Sequence, residues 1–181
     1  MTELHEKIHR TSIFVAKLLF AGIVFRLMLL VMPSTYQLQS AFAELISFLM
    51  NIAGIEAFTT GTRIFTEKSV YLIVQDCLGW KSIALFIGLI YASTKRTLEH
   101  LNYVIAATAV LMVANIARVF TTVYLAESGL ISFQVIHGVL WRWSLTIVVL
   151  VLWLYWFKNR RNDLKFESRI QEQLDRLNQT E

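Results

Sequence analysis

Long apolar runs alternate with short charged ones along this chain. Ile13 to Met32 is the first apolar run, closed by Pro33, and it carries Lys17 and Arg26. Its length matches the roughly 20 residues a helix needs to cross a bilayer, so it predicts a span. A cleaved signal peptide fits poorly, because the run is too long and no small-x-small site follows. Lys17 is near enough to the end to snorkel, whereas Arg26 is expected to face protein or the outer surface. Residues 36–54 carry a different pattern. Gln37, Ser40, Glu44, Ser47 and Asn51 recur every three or four positions, and Leu38, Phe42, Leu45, Phe48, Leu49 and Ile52 are expected on the other face. That is an amphipathic helix, better suited to the membrane interface or to the wall of a polar cavity than to lipid.

Residues 55–76 are the stretch that reads as β. Thr59-Thr60-Gly61-Thr62 is a turn signal, and Val70 to Val74 are rich in β-formers, so two or three short strands are expected. Three more apolar runs follow: Cys77 to Thr94, Leu101 to about Val119, and Gly138 to Phe157. Residues 121–136 are expected as a loop. Beyond Phe157, Phe166, Ile170, Leu174 and Leu177 stand at helical spacing among charges. The predicted fold is an all-α membrane protein. It has about four transmembrane helices, one amphipathic interfacial helix and a short extracytoplasmic β-hairpin. Residues 1–181 form a single integral membrane domain, with a core over 13–157 and a cytoplasmic charged helical tail over 158–181.

Composition agrees. The hydrophobic fraction is 56% and the mean hydropathy +0.54, whereas soluble domains run about 45–50% apolar. These residues leave no room for a separate soluble catalytic domain, so any chemistry is expected at the membrane. A single cysteine excludes an internal disulfide. The net charge of +4 need not mean nucleic acid, since membrane proteins gather Lys and Arg on the cytoplasmic side, and the basic residues do not interleave with aromatics. Walker and dinucleotide motifs are missing. His5 and His9 have i, i+4 spacing but no evident third ligand, so neither a metal nor a cofactor is expected.

Charge sets the topology. Lys95-Arg96 and Lys158/Arg160/Arg161 are both expected in the cytoplasm, with two spans between them. The β segment and residues 121–136 then lie outside. If 36–54 is interfacial the amino terminus is cytoplasmic, which suits Lys7 and Arg10; if 36–54 spans, it is outside. The first is preferred. Trp80, Trp141 and Trp143 are expected at the outer interface, and Tyr155 and Trp156 at the inner one.

This arrangement brings three reactive side chains to the outer ends of their spans: Cys77, Arg118 and His137. Such a trio suits acyl transfer. A thiolate is a strong nucleophile favoured by nearby positive charge. An imidazole can take the thiol proton and return one to a leaving amine, and a guanidinium can hold an oxyanion. Lys81 would favour the thiolate, Asp76 would oppose it, and Asn115, one turn before Arg118, can orient that side chain. Arg142 lies near the same surface. Against this stand plainer roles: a lone cysteine in a membrane helix is usually a small buried hydrophobe, and a lone histidine at a helix start is usually structural.

The segment Asp76-Cys77-Leu78-Gly79-Trp80-Lys81-Ser82, followed by Asn115-Ile116-Ala117-Arg118 and by His137 before an aromatic-rich span, resembles the exosortase/archaeosortase family. These are membrane-embedded cysteine transpeptidases. The resemblance covers roughly residues 36–157, with Gly61 in the β segment also similar, and it departs at Leu78, where many members have Ser or Thr. It implies Cys77 as nucleophile, Arg118 as second member and His137 as third. It also implies a substrate class: secreted proteins whose carboxyl-terminal sorting signal includes a transmembrane helix. These are cleaved at the extracytoplasmic face of the cell membrane, and a membrane lipid or other surface amine is the acceptor. Two competing readings make different demands. A small transport or solute-binding subunit would rely on Arg26, Ser40, Glu44, Ser47 and Asn51, and a membrane scaffold would rely on residues 163–181.

Overall fold

The computed structural model describes residues 2–31, 35–94, 97–129 and 143–160. Helix α1 runs over Thr2–Val31 and α2 over Tyr36–Ile52. Strands β1 (Ala57–Thr60), β2 (Arg63–Thr66) and β3 (Val70–Leu72) follow. A short 3-10 turn at Gln75–Leu78 leads into α3 (Trp80–Ser93), and a second at Thr97–His100 leads into α4 (Leu101–Glu127). Residues 143–160 are helical and are termed α5.

Two apolar clusters divide the molecule. In the first, Phe86, Leu89 and Ile90 of α3 pack with Ala107 and Leu111 of α4 and Val149 and Trp156 of α5, flanked by Phe14 and Leu18 of α1. This is the helical bundle. In the second, Phe42, Ala43, Ile46 and Met50 of α2 meet Ala57, Ile64 and Ile73 of the sheet segment, Cys77, and Val119 and Val123 of α4. This is a small head built on the far end of α4.

One end of the bundle is fixed by polar contacts. Arg160 Nη1 donates to the Ser93 carbonyl at 3.1 Å, and Trp153 Nε1 donates to Ser93 Oγ at 3.0 Å. Lys17 reaches the Thr94 carbonyl at 3.5 Å and lies over the Tyr91 ring. Cations therefore gather at the carboxyl end of α3, where the helix dipole favours them. Arg160 also covers Trp156, which meets His100 edge-on.

Several sequence-based expectations change. The polar amino-terminal residues do not precede α1; they are its first turns. The second expected span starts at Trp80 rather than Cys77 and has 14 residues, about 21 Å at 1.5 Å per residue. The third does not end near Val119, because α4 continues to Glu127 and takes up the start of the expected loop. Among the described residues two helices are long and apolar enough to cross a membrane, Lys7–Leu30 within α1 and Leu101–Glu127. Residues 138–142 of the fourth expected span, and the tail from 161, lie outside the described residues. Exposure is consistent with a lipid surround: Leu19, Phe20, Ile23 and Leu27 of α1 and Val151, Leu154 and Tyr155 of α5 are all more than half exposed. In water such surface costs roughly 25 cal/mol per Å².

Helix α2 is amphipathic, but its faces are not those read from the sequence. Phe42 turns into the head core, whereas Leu38, Phe48 and Ile52 stay exposed. The polar Ser47 is buried instead, because the sheet needs it. Ser47 Oγ and Asn51 Nδ2 both donate to the Ala57 carbonyl, at 2.9 and 2.8 Å, and the Ala57 N–H donates to Asn51 Oδ1 at 3.0 Å. These bonds fasten the start of β1 to α2.

The sheet is antiparallel in the order β1-β2-β3. Thr60 pairs with Arg63 across a two-residue loop. Gly61 leads that loop at φ 61°, the position at which a tight hairpin requires glycine. The Tyr36 hydroxyl occupies the space a side chain would need there. Glu127, at the end of α4, fastens the far side: it accepts from Thr66 Oγ1 at 2.6 Å and from the Tyr71 hydroxyl at 2.7 Å.

Asn51→Ala removes two bonds to Ala57 and is expected to cost about 1–3 kcal/mol. Ser47→Ala should cost less, since Asn51 Nδ2 still reaches the same carbonyl. Cys77 is a buried free thiol, so the temperature at which it becomes reactive to a thiol dye in detergent measures both. Equal midpoints for the two variants would show that Asn51 does not hold the sheet.

Candidate active site

Cys77 lies in the 3-10 turn before α3, outside the helices. Its N–H donates to the Val74 carbonyl at 2.8 Å. Gly79 ends the turn at φ 79°, a left-handed conformation that disfavours side chains. Its carbonyl then accepts from the Ser82 N–H at 3.0 Å, opening α3. A Cβ at Gly79 would also stand 2.7 Å from Asn115 Cγ. Glycine is thus required twice, by the backbone angle and by the close approach of α4.

Asn115 is 1% exposed. Its Nδ2 donates to the Cys77 carbonyl at 2.8 Å, which ties the turn to α4. One helical turn later, Arg118 lies on the same face of α4. It is buried, and its charge acts on Cys77. The Arg118 carbonyl accepts from Thr122 Oγ1 at 2.8 Å, a back-bond that occupies that hydroxyl within the helix.

Cys77 and Arg118 line one cavity of about 500 Å³. One wall is residues 69–74, the segment that contains β3; the other is Val119, Thr122 and Val123 of α4. The floor is therefore polar at Cys77 and Arg118, and the walls are mostly apolar. Such a cleft can exclude water from a reacting carbonyl while offering a thiol and a guanidinium.

Burial pushes the Cys77 thiol above its ordinary value. A backbone hydrogen bond from Val74 and the Arg118 charge pull it back, and Asp76 adds to the rise. Burial outweighs the guanidinium, so the group is held toward the thiol, a protonation state the sequence left open. Tyr71 in β3 is raised to about 12 by burial and by its bond to Glu127, so it stays protonated and keeps donating to that carboxylate.

The other residues singled out from the sequence fall as follows. Lys81 does not face the thiol; it pairs with Asp76 at 2.7 Å on the surface. Glu44 is exposed on α2 and does not line the cleft. Arg26 is exposed on α1. His137 and Arg142 lie outside the described residues. The strand segment was legible as β, but its role as the cleft wall was not. Glu127 was missed because α4 was expected to end early. Leu111, Asn115, Arg118, Thr122 and Glu127 recur at three- to five-residue spacing, which is a helical signal running past Val119.

In a comparison with protein families, a family model described as Transmembrane exosortase (Exosortase_EpsH) matches residues 6–155. No curated protein and no solved structure matches the chain.

Because the thiolate is the reactive form, maleimide labelling of Cys77 should climb about tenfold per pH unit through neutrality and level off only above the ordinary thiol range. Arg118→Gln removes a charge that favours the thiolate, so labelling at a fixed pH near 8 should slow. A plateau below pH 7, or faster labelling in the variant, contradicts this electrostatic assignment.

Proposed function

The chain belongs to the transmembrane exosortase family, and from that membership we propose that it is a membrane-embedded cysteine transpeptidase acting at the extracytoplasmic face on proteins that carry a carboxyl-terminal sorting signal. The observation that carries this reading is the cleft shared by Cys77 and Arg118, which are far apart in sequence and meet at the head end of the bundle.

Cys77 Sγ attacks the carbonyl carbon of the scissile peptide bond. The Arg118 guanidinium holds the oxyanion that forms, in a site with little water, where such bonds count most. The thiol proton passes to His137, which delivers it to the departing nitrogen as the C–N bond breaks. The substrate is then held as a thioester. An amine acceptor, for which a membrane lipid headgroup is the candidate, attacks the same carbon and gives up a proton. The C–S bond breaks, and the sulfur regains a proton. Water in place of the amine gives hydrolysis. A thiol kept protonated by burial until substrate arrives is protected from unproductive reaction.

Asn115 acts through Cys77 as a positioning residue, since it holds the backbone of the turn. Lys81 keeps the Asp76 carboxylate engaged at the surface. The transport reading finds less support: Ser47 and Asn51, two members of its polar face, are bonded to Ala57.

In the native host, Cys77→Ser present at wild-type level should leave secreted proteins with their carboxyl-terminal hydrophobic helix attached, with processing reduced at least about 10³-fold. His137→Ala and Arg118→Gln should each reduce it by about 10²–10⁴-fold. Surface proteomics, comparing carboxyl-terminal peptides between strains, reads this directly. If no protein retains its helix in the Cys77→Ser strain, the transpeptidase reading is wrong.

A further inference from the structure

The backbone of β3 presents a second set of groups to the same cleft. The Thr66 N–H donates to the Ser69 carbonyl, and the Ile73 N–H donates to the Thr62 carbonyl. Between these two bonds, Ile64 is paired with Tyr71. Bonded pairs alternate along an antiparallel ladder. Ser69, Tyr71 and Ile73 therefore turn their backbone groups toward β2, and Val70, Leu72 and Val74 turn theirs away. In the sheet order β3 is an edge, with β2 on one side and no strand on the other among the described residues.

That outer edge faces the cavity. Residues 69–74 all line it. Successive side chains of a strand point to opposite faces, so a cavity lined by Val70, Tyr71 and Leu72 together reaches the backbone edge of β3. The edge also ends at the candidate nucleophile. The Val74 carbonyl is taken by the Cys77 N–H, and the Val74 backbone hydrogen-bonds the Cys77 thiol. The remaining backbone groups, those of Val70 and Leu72, lead straight to the sulfur.

An exposed edge is a template for another strand. A cavity of about 500 Å³ suits a short extended segment, which sits about 4.8 Å from its neighbour. A helix, about 10–12 Å across with its side chains, does not suit it. We propose that the substrate segment preceding the scissile bond is bound as a fourth strand, added parallel to β3 along the Val70–Leu72 edge, and that this pairing delivers the scissile carbonyl to Cys77. The proposal rests on the transpeptidase reading above. Its direction follows from the path of β3. Tyr71 is bonded to Glu127 at the far end of α4, while Cys77 meets Arg118 nearer the bundle. A substrate whose apolar helix follows its cleavage site enters the membrane in that same sense. Backbone pairing then supplies affinity, and the apolar wall of α4 sorts side chains.

The probe is an epitope-tagged copy of one precursor that accumulates in Cys77→Ser cells, followed by immunoblot. Leu72→Pro removes an edge N–H and leaves the bonds to β2 in place, since those use its neighbours. Leu72→Ala keeps the N–H and shortens the side chain. Processing is expected to be at least tenfold slower in Leu72→Pro than in Leu72→Ala. Equal rates in two variants present at wild-type level overturn the proposal. Independently, single prolines are placed along the precursor segment before its cleavage site and tested on unaltered enzyme. Blocks at every second position are expected, because alternate residues face β3. A flat profile, or one with helical spacing, overturns the proposal, and this scan decides alone if Leu72→Pro fails to reach the membrane. Should Cys77→Ser cells accumulate no precursor at all, it is the transpeptidase reading that fails, whereas accumulation with a flat scan removes only the added strand.

Discussion

The hydrogen bond from Asn115 Nδ2 to the Cys77 carbonyl is the contact on which the head depends. It crosses from the interior of α4 to the single 3-10 turn that precedes α3. Without it, a buried carbonyl and a buried amide would each lack a partner, at a cost of about 1–3 kcal/mol apiece. The bond also fixes a distance, because it draws α4 against Gly79 so closely that no side chain fits between them. The spacing of cysteine and glycine, and of asparagine and arginine, then has a single cause. Glycine lets α4 approach, asparagine fastens the turn, and one helical turn further Arg118 lines the same cleft as the sulfur.

The head is anchored to α4 a second time, by Glu127. A carboxylate that is 4% exposed must be satisfied, and Thr66 and the Tyr71 hydroxyl do so from two neighbouring strands. The two anchors lie twelve residues apart on one helix, about 18 Å at 1.5 Å per residue. A three-stranded sheet of four, four and three residues is too small to be stable alone. It becomes a rigid wall because α4 holds it at Glu127, α2 at Ala57, and Asn115 at the turn that follows. Its outer face keeps Phe58, Val70 and Leu72 exposed beside the exposed apolar residues of α2, a surface suited to the lipid interface.

The sequence was most legible where one physical demand acted alone. Span length located the apolar runs but matched helix bounds closely only for α3, since α1 begins earlier and α4 ends later, and β-branched residues after a Thr-rich turn located the strands. It was least legible where two demands met. Ser47 is buried and Phe48 exposed, the reverse of what their polarity suggests, because α2 must satisfy the Ala57 carbonyl as well as cover a core. Lys81 was assigned to the thiol by helical spacing, but α3 begins only at Trp80, so that spacing does not apply and Asp76 takes the ammonium. The end of α4 was misplaced because Thr121, Thr122 and Glu127 look like loop residues by composition, while their spacing continues the buried stripe of Asn115 and Arg118. Asn115 and Arg118 stood out because a polar amide and a guanidinium are costly in an apolar setting, whereas Cys77 stood out by its reactivity and its place at the outer end of a span.

The same burial that makes the cleft suitable for acyl transfer works against its nucleophile. Removing water strengthens the attraction between Arg118 and a thiolate, yet it penalises the thiolate itself more, and the thiol is raised. The Arg118 charge by itself therefore does not bring Cys77 to the thiolate. Activation requires a base, the part proposed above for His137. A strand laid along Val70 and Leu72 would close the cleft on its open side. It would also place its own carbonyl dipole beside the sulfur and the guanidinium, so that negative charge develops on an oxygen Arg118 can hold rather than on a solitary sulfur. Negative charge that burial disfavours on the sulfur is favoured on the oxyanion of the transition state, which is the condition for an interaction to accelerate a reaction rather than merely tighten binding.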